Sequence, residues 1–294
     1  MLAEQIVNGI ILGSLYALIA QGYTLVFGVL DKLNFAHSEI FMLGGFITVA
    51  SVALGAPVWV ALIVVFGISG LLGLIVELVS FRKFRGRDAQ ITAALSSFAV
   101  GLVIIDLVQK YCGTEPIGLT LPAALRVFSI EIFGMRIALV KLTILGISLL
   151  LTLGLQLLVA KTAIGRNIRA TAESPSAAAL LGINVKRTIQ QTFFVASALA
   201  GVAGLTLVLR TGYASTDIGF SFGLKALAIM AIGGMGDLRG TFLGGLLVGV
   251  AEALAFTTGL GELGDTVVWL FMIVVLLVRP AGLFGAKWSR EMRA

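Results

Sequence analysis

The chain has 294 residues, of which 59% are apolar and only 12% are charged, and its mean hydropathy is +1.06. A soluble domain carries about 25% charged residues, so this composition excludes a soluble globular protein and predicts an all-α polytopic membrane protein. Because a helix needs about 20 apolar residues to cross a bilayer, we expect one transmembrane domain over residues 1–294 and little else. The single cysteine, Cys112, excludes an internal disulfide and a thiolate metal cluster.

The net charge of +6 could indicate a nucleic-acid-binding protein, but the distribution of the charge argues against one. Four, five and four of the 21 Lys and Arg residues fall in the segments 82–88, 161–187 and 279–294. Clusters of this kind between apolar runs are typical of the cytoplasmic loops of membrane proteins. We therefore expect no nucleic-acid partner, and we place these three segments in the cytoplasm.

The apolar runs predict eight to nine spans. The run after the first span is short and follows a polar interruption, so the region 31–54 is predicted to hold either a full span or a half-membrane or broken helix. With the three basic segments inside, nine crossings put the N-terminus outside and the C-terminus in the cytoplasm; eight would put the N-terminus inside. The other predicted spans cover about 6–30, 58–81, 91–111, 138–160, 189–209, 220–232, the region after 240, and 267–278.

The segment 112–137 is predicted to form an external loop. Its charges nearly balance, and apolar and polar residues alternate from Val127 to Arg136 around Gly134. That alternation with a glycine turn predicts a small β-hairpin.

The segment 161–187 is a basic interruption between two predicted spans. Within it, Glu173, Ser174 and Pro175 are typical of a helix start, and Gly182 is typical of a helix end. A short helix in a cytoplasmic loop is consistent with a docking element, and also with an ordinary solvated loop. The residues alone leave both interpretations open.

Several polar residues lie within or beside the predicted spans, where they are costly and often functional. Asn34, His37 and Glu39 are candidates to line a pathway, as are Lys225 and Glu252, which could instead pair with each other. Asp106 and Lys110 are spaced i,i+4 and are predicted to form an ion pair. No metal or other cofactor is expected, because His37 is the only histidine and a zinc peptidase site needs further ligands.

The glycine-rich run 233–240 lacks the Gly-Lys-Ser or Gly-Lys-Thr that a phosphate-binding loop requires, and neither sequence occurs elsewhere in the chain. We therefore interpret the run as a tight cytoplasmic turn. The chain is not expected to be an enzyme or to hydrolyse ATP by itself.

Four segments resemble the permease subunits of ABC importers for branched-chain amino acids, and the chain is similar to the shorter, H-type partner of the paired H and M permeases. These segments follow the family's order along essentially the whole chain; they are GYTLVFGVLDKLNFAHSEIFMLGGF (22–46), AESPSAAALLGIN (172–184), LKALAIMAIGGMGDLRGTFLGGLLVG (224–249) and RPAGLFG (279–285).

The resemblance implies a pathway shared with a second permease subunit, two cytoplasmic ATPase subunits, and a periplasmic solute-binding protein. It implies a location in the bacterial inner membrane, within the lipid bilayer, and a coupling helix in 161–187, with Arg166, Arg169, Glu173 and Gly182 as its candidate residues. The better-known importer motif has Glu-Ala-Ala, with a glycine six residues after the glutamate. Here Ser and Pro follow Glu173 and Gly182 comes nine residues later, which favours the more compact, many-span importer architecture.

Three alternatives remain. A related permease could carry urea, short amides or other amino acids, since selectivity rests largely with the binding protein. A stand-alone secondary transporter or channel would need its own coupling-ion site and no ATPase. An intramembrane enzyme is disfavoured because the chain offers no convincing pairing of nucleophile and base.

Overall fold

The computed structural model of the chain describes residues 2–84, 89–120, 128–132, 135–258 and 264–285. These residues are overwhelmingly helical, which confirms the predicted fold class. Parts of the loops 82–88 and 112–137 and of the basic tail 279–294 lie outside the described residues. The described helices are α1 (Leu2–Leu30), α2 (Ala36–Ala53), α3 (Val58–Val76), α4 (Gln90–Cys112), α5 (Leu139–Lys161), α6 (Ala163–Glu173), α7 (Pro175–Leu180), α8 (Val185–Thr211), α9 (Asp217–Gly233), α10 (Leu238–Ala255) and α11 (Gly264–Val278).

Seven of the described helices are long and apolar enough to cross a membrane: α1, α2, α3 with the π-helical turn Glu77–Phe81 that continues it, α4, α5, α8 and α10. Two others are shorter, α9 with 17 residues and α11 with 15. Both are too short to match the usual span of about 20 residues.

Helices α1 and α8 form the centre of the molecule. In each, 89% of the most apolar stretch is buried, whereas the same share is 28% in α3 and 22% in both α4 and α5. A helix that is apolar all round is buried in a protein core or faces lipid. The outward faces of α3, α4 and α5 are therefore surfaces for the bilayer or for another subunit.

Glycines bring α1 and α10 into backbone contact. A Cβ added at Gly13 would lie 2.7 Å from the carbonyl oxygen of Gly245, and one at Gly9 would lie 2.7 Å from the Cα of Val250. Small residues at this spacing let membrane helices approach closely, because apolar side chains gain little by leaving lipid for protein. Gly9 and Gly13, which are four residues apart on α1, thus both lie at the contact with α10.

Within the described residues, four short strands lie in the loops after α4 and α8. Strands β2 (Ser129–Ile132) and β3 (Met135–Ala138) pair antiparallel as a hairpin with Glu131 opposite Arg136. Strands β1 (Ile117–Gly118) and β4 (Tyr213–Ala214) also pair antiparallel, which ties the loop after α4 to the loop after α8.

Helix α2 begins inside the protein body. The Phe35 amide donates a hydrogen bond of 3.0 Å to Ser97 Oγ, which lies seven residues into α4. At 1.5 Å per residue that is about 10 Å beyond the start of α4. The segment 31–35 therefore runs along α4 before α2 starts. Helix α2 itself is unbroken over its 18 residues and is long enough to cross a membrane, so both interpretations of 31–54 stay open.

The lower end of that segment is fixed by polar contacts. The Gln90 side-chain amide donates to the Asp31 carbonyl at 3.1 Å and to the Asp31 carboxylate at 3.0 Å. The Lys32 ammonium donates to the Phe84 carbonyl, and its burial lowers the pKa of Lys32 because desolvation disfavours the charged form.

Candidate functional site

The first of three candidate regions is the buried polar start of α2. Asn34, His37 and Glu39 are all buried there, although each is strongly polar. His37 Nε2 lies 3.3 Å from the Ile19 carbonyl oxygen, and the imidazole packs on the Tyr23 ring with centroids 4.4 Å apart. The histidine thus sits against α1, where a Cβ added at Gly22 would collide with the ring.

Several buried atoms of this region have no hydrogen-bond partner within the described part of the chain. They are both amide atoms of Asn34, Nδ1 of His37 and Oε2 of Glu39. The other carboxylate oxygen of Glu39 accepts from Ser38 Oγ at 3.0 Å. Buried polar groups are nearly always paired, so these free donors and acceptors are suited to a polar molecule passing between the helices.

The second region is an ion network that joins α9, α10 and α11; its Lys225 and Glu252 side chains are buried, whereas Asp265 is exposed. Lys225 Nζ lies 3.1 Å from Glu252 Oε1 and 2.6 Å from Asp265 Oδ1. Tyr16 donates to Glu252 Oε2 at 2.8 Å, and its hydroxyl accepts from Lys225 Nζ at 3.2 Å. Of the two interpretations left open for Lys225 and Glu252, the structure therefore supports direct pairing.

Helix α9 connects these two regions without bringing their charges into contact. Its Gly219 faces the Glu39 carboxylate and its Gly223 faces the Ser38 side chain. Lys225, two residues further along, points to Glu252 instead. The five candidate pathway residues therefore form two separate groups, both beside α9, rather than a single site.

The third region is the loop between α5 and α8, where α6 begins at a sharp corner. Thr162 Oγ1 caps α6 by accepting from the Gly165 amide at 3.1 Å. A Cβ at Gly165 would collide with the carbonyl oxygens of Leu158 and Val159. The Arg169 guanidinium also donates to the Val159 carbonyl, so α6 is held tightly against the end of α5.

Helix α7 follows at the position where the sequence predicts a helix start. Ser174 Oγ accepts from the Ala177 amide at 3.2 Å, and Pro175 is the first helical residue. At the other end, Gly182 has φ +82°, its amide donates to the Ala179 carbonyl, and the Ile183 amide donates to the Ala178 carbonyl, each at 3.0 Å. This pair of bonds is the Schellman motif, which needs a residue in the left-handed region.

The exposed surface of α7 is apolar as well as accessible. Leu180 is 90% exposed and Leu181 is 80% exposed. The predicted residues Arg166 and Arg169 are also exposed, on α6. Glu173 is exposed too, but it is the last residue of α6 rather than part of the first turn of α7.

Sequence reasoning missed helix α6 and the two leucines. The sequence did carry a signal for α6: Thr162 is a residue type that caps helices, and Gly165, Ile168 and Thr171 follow at intervals of three residues. In the structure these three residues form the buried face of α6. The two leucines carried no comparable signal, since apolar residues are ordinary in this chain.

The glycine-rich run 233–240 forms the turn between α9 and α10. Gly234 and Gly236 have φ +111° and +92°, and a Cβ at Gly233 would collide with the backbone of Gly240. Asp237 caps α10, because its carboxylate accepts from the Arg239 and Gly240 amides at 2.8 Å. The run is thus a tight turn, as the sequence predicts.

Comparison with known proteins identifies the family to which the chain belongs. The family model for the permease component of the branched-chain amino acid transport system matches residues 5–277. The chain belongs to this permease family. That result confirms the resemblance carried by the four sequence segments.

Two relatives show how far the likeness extends. This permease is 34% identical to the high-affinity branched-chain amino acid transport system permease protein BraD of Pseudomonas aeruginosa, over 96% of this chain and 95% of the relative. It is 34% identical to the protein LivH of Escherichia coli K12, named in the same way, again over 96% and 95%. The likeness therefore spans both proteins nearly from end to end.

A solved structure supports the fold. PsaBC from Streptococcus pneumoniae, in complex with a Fab, superposes on this permease with a TM-score of 0.51 and 14% identity, covering 97% of this chain and 98% of that one. At this identity the likeness concerns the fold alone.

Proposed function

We propose that the chain is the transmembrane permease subunit of an ATP-driven importer that carries branched-chain amino acids across the bacterial inner membrane. The observation that carries the proposal is the family match over 5–277, together with relatives of that function at 34% identity over 96% of the chain. The subunit would share its pathway with a second permease. It would receive substrate from a periplasmic solute-binding protein and energy from two cytoplasmic ATPase subunits.

In this proposal α6 and α7 form the surface that meets the ATPases. Their exposed residues combine cations, Arg166 and Arg169, with the apolar pair Leu180 and Leu181. Arg is enriched at protein interfaces and contributes strongly to binding there, and adjacent exposed apolar side chains are typical of interaction surfaces. Gly182 gives α7 a defined end, and Glu173 adds an acidic group between the two helices.

The buried polar start of α2 is proposed to line the pathway. Asn34, His37 and Glu39 present unpaired polar atoms at a helix start within the protein body. Interrupted helices at membrane depth are typical of substrate sites in transporters, because their free backbone and side-chain groups replace water around the solute. Lys225 and Glu252 would lie beside this route and fix α9, whose first half borders it.

Reconstitution in vesicles tests the proposal. The chain, the second permease and both ATPases are inserted together, the binding protein is added outside, and ATP is enclosed inside. Uptake of labelled leucine should require ATP and the binding protein, and vesicles that contain the lone chain should neither hydrolyse ATP nor accumulate leucine. Uptake without ATPase subunits would indicate a secondary transporter or channel and overturn the proposal.

Competition assigns the substrate class. Unlabelled isoleucine and valine should suppress leucine uptake, while urea and acetamide at the same concentration should not. If urea or acetamide suppressed leucine uptake and valine did not, the subunit would instead belong with the related permeases that carry urea or short amides.

A further inference from the structure

An apolar groove of about 700 Å³ runs along the outer side of α10. One wall consists of α10 side chains at helical spacing, and the other is the segment that follows α11. The first and last of these α10 positions are seven residues apart, which corresponds to about 10 Å along the helix. The α10 side chains in this wall are Leu243, Leu246, Leu247 and Val250.

The end of the groove near the start of α10 carries a positioned cation, Arg279. The segment after α11 folds back under α9, where the Leu283 amide donates to the Ile232 carbonyl at 2.7 Å and the Phe284 amide to the Gly233 carbonyl at 3.1 Å. The Arg279 guanidinium donates to the Leu283 carbonyl at 3.2 Å. The turn that makes this possible contains Gly282, with φ +81°.

Within the described part of the chain, most of the hydrogen-bonding capacity of Arg279 is unused. A guanidinium has five N–H donors, and within the described residues one bond is made and no carboxylate forms an ion pair with Arg279. The side chain is exposed. It therefore presents a fixed fork of donors, whose geometry matches a phosphate or carboxylate.

We propose that this groove binds one anionic phospholipid, with an acyl chain along α10 and the headgroup phosphate on Arg279. The proposal goes beyond the transport function and does not depend on the substrate. Charge complementarity selects the occupant, since apolar walls about 10 Å long end at a cation that lacks an acidic partner among the described residues. The positive-inside bias places Arg279 at the cytoplasmic surface, where anionic lipids attract basic residues.

Native mass spectrometry of the purified full chain tests the binding. The protein is released from nanodiscs that contain phosphatidylcholine with phosphatidylglycerol, and retained lipids are counted. We expect one retained phosphatidylglycerol in the wild type and about fivefold weaker retention in Arg279→Gln, the factor for one basic residue at an anionic surface. The matched control is Lys161→Gln, an exposed cation at the end of α5, which should retain lipid like the wild type.

A second pair of variants separates the groove from the charge. Leu247→Trp should fill the groove and displace the lipid although Arg279 is intact, whereas Leu157→Trp, at a similarly exposed position on α5, should not. Equal retention in Arg279→Gln and the wild type, or equal retention of both lipids, would overturn the proposal. So would loss of the bound lipid when the second permease subunit is added, since a protein would then be the occupant.

Discussion

The ammonium of Lys225 on α9 lies 3.1 Å from Glu252 on α10 and 2.6 Å from Asp265 on α11. Removing one member of a buried ion pair leaves an uncompensated charge, whereas removing both can be nearly neutral. Lys225 is therefore expected to hold three helices in register. The Tyr16 hydroxyl completes the network from α1.

Stability measurements on variants of this pair test its role. Lys225→Met should lower the stability of the purified permease by about 3–5 kcal/mol, because Glu252 stays buried without its cation. The double variant with Glu252→Gln should lose less than the sum of the two single variants, as expected for coupled neighbours. Thermal unfolding in detergent measures both quantities.

The control is Lys110→Met, which removes an exposed cation at the end of α4 and should change stability by about 0.5 kcal/mol or less. Strict additivity of Lys225→Met and Glu252→Gln would show that the two side chains are not coupled. The network would then be interpreted as part of the substrate pathway rather than as a contact that holds the helices together.

Individual pairings were the part of the site least accessible from sequence. The i,i+4 spacing predicted an ion pair between Asp106 and Lys110, but this was wrong: within the described residues no ion pair joins them, and Lys110 Nζ lies 5.9 Å from the Tyr111 ring centroid. Both side chains are exposed, where an ion pair gains little. Conversely, Tyr16 and Glu252 are 236 positions apart, so no local pattern could connect them.

At the scale of helices and strands, the sequence predicted element ends well where backbone hydrogen bonding and φ angles determine them. Ser174, Pro175 and Gly182 marked the ends of α7. The first turn of a helix needs a cap for its free amides, and the turn that ends this helix needs a residue with positive φ. The broken region before α2 was predicted from a polar interruption. Its depth along α4 was not, because that depends on the contact of Phe35 with Ser97.

The exposed leucines of α7 give the element-scale prediction. Leu180→Asp should abolish or strongly reduce co-purification of the ATPase subunits, because a charge would enter the apolar contact. The permease itself should remain in the membrane, since the side chain is 90% exposed and contributes little to the fold. Pull-down from solubilised membranes, normalised to permease content, measures the effect.

Leu54 provides the matched control for that experiment. It is 88% exposed at the opposite end of the molecule, after α2. Leu54→Asp should leave ATPase attachment unchanged. If Leu180→Asp retains the ATPases as well as Leu54→Asp does, the loop 161–187 returns to the interpretation of an ordinary solvated segment.

At the scale of the whole molecule, loops at the same end of the helices contact one another. The segment 31–35 meets the loop after α3 through Lys32, and the segment after α11 meets the end of α9. Strand β1, which follows α4, pairs with β4, which follows α8. Each of these contacts joins two segments that the sequence-based topology places on the same side of the membrane.

Cysteine accessibility tests that orientation. Single cysteines at Lys83, Phe128 and Arg166, in a Cys112→Ser background, are treated with a membrane-impermeant thiol reagent in right-side-out vesicles. All three positions are exposed, so reaction depends on the side of the membrane. We expect labelling at Phe128 alone, with Lys83 and Arg166 reacting after permeabilisation.

Native Cys112 serves as an internal control, because it is exposed and is placed on the same side as Phe128. It should react in intact vesicles of the otherwise unmodified protein. Labelling of Lys83 or Arg166 without permeabilisation would reverse the assigned orientation.

The corner between α5 and α6 has a mechanical consequence. Gly165 lies against the carbonyls of Leu158 and Val159, and Arg169 is bonded to the second of these. Close-packed regions change between discrete arrangements rather than bending gradually. A close-packed corner of this kind is rigid, so it transmits a force between α6 and α5 that a flexible loop would not transmit. A subunit that moves α7 would therefore rotate α6 as a rigid body. That rotation would move the end of α5 to which α6 is attached, and so would reach the transmembrane helices.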